Sequence, residues 1–213
     1  MEYNIIIPEY TEFEKKLQNE RDFFSYMQML KDALPHYALF IATADTPAGP
    51  LFTQKHSDCM RSALGLKIDM TKAFRQPYIA IIDGGEILYE ETSKDVTKPL
   101  SISADFGNHS ISILSGGYSC DTECWPEARI TVDNISYYCI RGFVFLLYNM
   151  KKDYIADYSR FETFEDGTTG PFHKRIAYTK EIISNLRGGY IMFMRISTFA
   201  VIWQSLQTGR TYK

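Results

Sequence analysis

The residues best placed to do chemistry are an aspartate and an arginine, each next to an apolar run. Asp45 follows 37–43, YALFIAT, and Arg75 precedes 77–82, PYIAII. Runs this apolar suit strands covered on both faces, and ligands of α/β sheets often sit outside the carboxyl ends of such strands. A carboxylate and a guanidinium at neighbouring strand ends can each make two hydrogen bonds with hydroxyl groups. Tyr78 or Phe74 would supply the stacking face. The competing reading is that Asp45 and Arg75 form an ion pair that pins a loop to the sheet.

Other constellations are thinner. His36, His56, His109 and His173 lie in unrelated contexts, and Cys59 falls in a helical stretch without a recognisable base. Cys120 and Cys124 have no second close cysteine pair, so no zinc site is expected, and the four cysteines are read as free thiols. Ser115-Gly116-Gly117 lacks the lysine and the strand-to-helix setting of a phosphate loop. Glu162, Glu165 and Asp166, with Asp153 and Asp157, read as solvated loop charge rather than a divalent-ion site. Trp125-Pro126 reads as a loop plug, with a partner anchor as the alternative. No cofactor and no catalytic residue are assigned; a hydrolase would need a buried carboxylate pair or a histidine–cysteine contact.

The elements that must position Asp45 and Arg75 follow from patterning. Thr11 and Glu14 form a capping box for a helix or pair of helices that ends before Pro35, with 19–21 as the possible break. A second helix covers 53–64 and stops at Gly65. Asp83-Gly84-Gly85 reads as a hairpin turn between 77–82 and 86–89. The polar stretch 90–99 is the linker candidate. After it, 101–103, 110–114 and 129–132 alternate as half-exposed strands. The run 142–148 is buried, with Gly142 allowing close approach or a bulge, and 154–158 alternates again. A helix is expected over 176–186 and a last strand over 190–196.

Bulk properties bound the function. The chain has 213 residues, 45% hydrophobic and 23% charged, which are globular proportions. A net charge of −3 without a basic stretch argues against nucleic acid as a partner. No apolar run approaches the ~20 residues that a membrane span needs. Met1-Glu2-Tyr3-Asn4 carries no secretory pattern, so a cytoplasmic setting is expected unless the chain was excised from a larger secreted or anchored protein. Aromatic residues reach 15%, with 15 Tyr, and are read mainly as packing between sheet and helices.

Taken in swapped order, the pieces resemble the interleukin-like EMT inducer domain over about 23–164. Its first half is matched by Ser112-Ile113-Leu114-Ser115-Gly116-Gly117, Ile130-Thr131-Val132, Arg141-Gly142 with the apolar strand after it, and Phe161-Glu162-Thr163. Its second half is matched by the helix at 24–34, the strand ending in Asp45, the helix ending in Leu64-Gly65, and Phe74-Arg75 before the strand at 77–83. Gln76 stands where other members have aspartate. The resemblance implies an α/β fold with mixed β-sheet flanked by helices, circularly permuted or cut from a tandem array. Units at 1–90 and 91–170 would form one compact domain, with 171–213 a partial repeat and tail.

The resemblance also implies a non-catalytic, lectin-like carbohydrate-binding or accessory module. It would stand beside a glycosyltransferase or a surface polysaccharide system and bind a glycan or glycoconjugate through Asp45 and Arg75. A protein–protein assembly module is the alternative.

Overall fold

The computed structural model describes residues 9–118, 127–139 and 141–164, followed by the backbone of short strands at 174–176, 184–186, 189–196 and 199–205. Its secondary structure combines helices with antiparallel sheets, an α/β composition in the broad sense.

Helix α1 (Glu12–Asn19) opens on the Thr11–Glu14 capping box, each side chain satisfying the other's backbone N–H. Glu20 is extended and its carboxylate accepts the N–H groups of Arg21 and Asp22, so the helix breaks there. Asp22 then caps α2 (Phe23–Ala33) through the Ser25 N–H. A short 3-10 turn through Pro35 leads into β1 (Tyr37–Ala44). Helix α3 (Gln54–Leu64) starts at a Thr53–His56 box and ends at Gly65 in the left-handed region, where glycine carries no Cβ penalty. Strands β2 (Tyr78–Asp83) and β3 (Glu86–Thr92) form the hairpin expected at Gly84-Gly85.

The next four strands, β4 (Leu100–Phe106), β5 (His109–Ser115), β6 (Ala128–Val132) and β7 (Ile135–Cys139), form a four-stranded antiparallel meander. The chain then returns through β8 (Gly142–Asn149) and β9 (Tyr154–Phe161). With β10 (Lys174–Ile176) these complete a six-stranded sheet in the order β10-β9-β8-β1-β2-β3.

Period-two alternation divides the core in two. Leu39, Ile41, Tyr78, Ala80, Ile82, Phe143, Phe145 and Leu147 pack under Leu17, Phe23, Tyr26, Met27, Leu30 and Met60 of the three helices. On the other face, Phe40, Ala42, Ile79, Ile81, Val144 and Leu146 meet Ile111, Ile113, Ala128 and Ile130 of the meander. The layers are therefore helices, six-stranded sheet and four-stranded sheet. β1 and β8 read as continuous apolar runs because both their faces are covered.

Two expectations change here. Every strand pair in the two large sheets is antiparallel, and the one parallel contact among the described residues is an isolated bridge between Asp45 and Gly117. A mixed sheet was expected because an apolar run reports two covered faces, and that says nothing about strand direction. The excursion through α3 leaves β1 and returns to the same end of the sheet, so β2 runs against β1. The helix expected over 176–186 is also not formed at its two ends. Ile176 closes β10, and 184–186 is β11 (Ser184–Leu186), which joins β12 (Gly189–Ile196) and β13 (Phe199–Ser205) in a three-stranded sheet. Residues 177–183 lie outside the described residues. Among the described residues no helix is long and apolar enough to cross a membrane.

Candidate functional site

Asp45 and Arg75 come together at the carboxyl end of β1, and both have left-handed backbone. Their φ values are 64° and 60°. Aspartate tolerates that region, whereas a long side chain such as arginine enters it rarely and at a cost. The surrounding backbone holds both in place. The Asp45 N–H donates to the Gly116 carbonyl at 3.0 Å. The Arg75 N–H donates to Thr46 Oγ1 at 2.8 Å, and the Arg75 carbonyl accepts the Tyr118 N–H at 3.3 Å.

Ser115-Gly116-Gly117 carries the meander across to this point. Ser115 Oγ accepts the Tyr78 N–H at 2.8 Å and donates to the Thr43 carbonyl at 2.6 Å. Gly116 donates to the Glu127 carbonyl at 2.8 Å. A Cβ on Gly117 would stand 2.5 Å from the Arg75 carbonyl oxygen, so the segment passes only because that side chain is missing.

The guanidinium of Arg75 lies 4.0 Å from the centroid of the Tyr118 ring and 5.1 Å from that of Phe74. Both rings are half exposed, at 49% and 52%. The ion pair between Asp45 and Arg75 that stood as the competing reading is not formed. Among the described residues, neither side chain has a hydrogen bond or ion pair. Burial pushes the Asp45 carboxyl up, the positive Arg141 and Arg75 draw it back down, and Glu162 adds to the rise.

Arg141 reaches this end of the sheet because Gly142, with φ 82°, stands opposite Ala44. Its Nε binds Glu162 Oε1 at 2.6 Å. Glu162 is thus tied to an arginine, and Asp153 lies at the other end of β9. Asp157 is buried and accepts the hydroxyls of Tyr26 and Ser159. The acidic residues do not form one group, and no metal-holding cluster occurs among the described residues. Glu165 and Asp166 lie outside them, as do Cys120, Cys124 and Trp125-Pro126.

Tyr78 does not belong to the rim. Strand alternation turns its ring to the helix face, where it is fully buried and its hydroxyl donates to Glu90 Oε1 at 3.2 Å. Phe74 and Tyr118 provide the exposed ring faces instead. Tyr118 was missed because it lies far along the chain from Arg75. The twin glycine before it was the available signal of a close backbone approach.

Other candidate groups have structural partners. His56 caps α3 and stacks on Phe24 at 4.9 Å. Burial raises the Cys59 thiol, the opposite of nucleophile activation. Cys139 is buried, pushed up to about 12 by that burial, and donates to the Arg141 carbonyl. Comparison with protein-family models, curated proteins and solved structures found no match to this chain.

Proposed function

We propose that the chain is a non-catalytic carbohydrate-binding module, an accessory to a glycosyltransferase or surface-polysaccharide system. It takes a sugar on the rim formed by Asp45, Arg75, Phe74 and Tyr118. The observation that carries this reading is that, among the described residues, a carboxylate and a guanidinium with no hydrogen bond or ion pair lie at one end of β1, the guanidinium against two half-exposed rings and its arginine in a costly backbone conformation. Strain of this kind collects at ligand sites, where it fixes side chains that a relaxed loop would leave free. The carboxylate accepts sugar hydroxyls, the guanidinium donates to sugar oxygens, and the rings offer the apolar face that a pyranose needs. The same two residues are the ones to which the resemblance assigns sugar contacts.

Exposed aromatics beside an arginine also suit a protein hot spot, which keeps an assembly module as the second reading. A glycan array separates the two. The wild type is expected to retain a defined glycan subset, with Asp45→Ala and Arg75→Ala each losing it. Retention by both variants, or no retained glycan for the wild type, contradicts the sugar reading.

A further inference from the structure

A second concave surface lies at the opposite end of β1. There Tyr37 pairs with Asn149 and its carbonyl accepts the Gly84 N–H. Three turns meet at this end: 84–85 between β2 and β3, 107–108 between β4 and β5, and 150–153 between β8 and β9. They enclose a groove of about 660 Å³, within the range of ligand clefts.

Its wall is apolar. Phe106, Tyr148 and Met150 line it, and Leu88 is 55% exposed at its lip. Phe106 packs edge-on against Tyr148 at 6.0 Å and against Phe40 at 5.3 Å, so the wall is continuous with the core. Its charge is mostly negative. Asp83 ends β2 and Asp105 lies near the end of β4, and their carboxylates take no hydrogen bond or ion pair among the described residues. Glu86, paired with Asp83 across the hairpin, adds to the same field. Among the described residues Lys151 is the one basic lining residue, and Asp153 is already bonded to His109 and Tyr148.

We infer that this groove is a docking site for a short peptide segment of alternating basic and apolar residues. Leu88, Phe106 and Met150 receive the apolar side chains, while Asp83 and Asp105 meet the cationic ones. Charge complementarity selects this occupant. An acidic segment would place like charge against two unpaired carboxylates, and a wholly apolar one would leave them without a counter-charge as water is excluded. The site stands apart from the Asp45 rim, so both can be occupied together.

The test is fluorescence anisotropy with a labelled hexapeptide of alternating lysine and leucine, with a glutamate–leucine hexapeptide as control. Saturable binding of the basic peptide alone is expected. Asp83→Asn with Asp105→Asn should weaken it by about tenfold or more. Leu88→Ala, an exposed change that leaves the core intact, should weaken it too, and Asp45→Ala should not. Equal binding of the acidic peptide overturns the inference. So does unchanged affinity in the aspartate double variant, or the absence of saturation with the wild type.

Discussion

Among single residues, Arg75 holds a backbone conformation that costs a long side chain energy. Arg75 has a φ that glycine adopts without penalty. Arg75→Gly is therefore expected to leave the unfolding free energy unchanged or to raise it by up to about 1 kcal/mol, measured by urea denaturation. A clear loss of stability would mean that the arginine is there to hold the fold. Glu14 is the contrasting case. It is fully buried and its carboxylate accepts from the Thr11 N–H, the Tyr37 and Tyr154 hydroxyls and the Asn149 amide. Burial alone would raise its pKa, but these hydrogen bonds outweigh that and lower it. With the folded value depressed, its stabilising effect is present above the usual carboxylate pKa and is lost as pH falls through the folded one. Glu14→Gln should cost about 2 kcal/mol at neutral pH, because acceptors for several buried donors disappear, and the cost should shrink in acid. Denaturation at the two pH values measures both.

At the scale of elements, the decisive contact is the passage of β5 into Gly116-Gly117 beneath Arg75. Gly117→Ala puts a methyl 2.5 Å from the Arg75 carbonyl and 3.1 Å from Pro77 Cδ. The Arg75 carbonyl and the proline ring leave the methyl no room, so the segments 75–77 and 116–118 must separate and take Arg75 away from Tyr118. The variant should lose glycan binding while keeping its far-ultraviolet circular dichroism, and retained binding would show that this contact does not set the site. The elements were largely legible beforehand. The Thr11–Glu14 box, the Gly65 stop, the Gly84-Gly85 hairpin and the two buried strands all stand where their residue types place them. What could not be read is equally physical. Apolar runs do not record strand direction, which is why the antiparallel order was missed. Alternation alone did not say which face of β2 would be capped by helices, so Tyr78 was assigned to a surface it never reaches. A helix was expected over 176–186, yet Ile176 and 184–186 are strand, where pairing with a neighbouring strand overrides local preference.

For the whole molecule, the three layers place two surfaces at the two ends of β1, an eight-residue strand about 25 Å long. The glycan rim lies where β1 ends and the acidic groove where it begins. Near the groove, His109 joins the two sheets. Its Nδ1 meets Asp133 and its Nε2 meets Asp153, both at 2.7 Å. A ring that donates from both nitrogens must be protonated, and the hydrogen bonds to Asp133 and then Asp153 raise its pKa. Tyr148, whose hydroxyl binds Asp153, is the other titratable group facing it. Because the folded value is the higher one, the stabilisation is complete below pH about 6.5 and is lost as pH rises through the folded pKa. The difference in melting temperature between wild type and His109→Gln should therefore be largest in mild acid and fade in alkali. A difference that does not vary with pH would remove the link. The glycan rim occupies the other end of the strand. Its most direct test is calorimetric titration of the glycan retained best by the wild type into Arg75→Gly. A fully folded protein that releases no binding heat is expected, and wild-type affinity in that variant would overturn the assignment of Arg75 to the glycan.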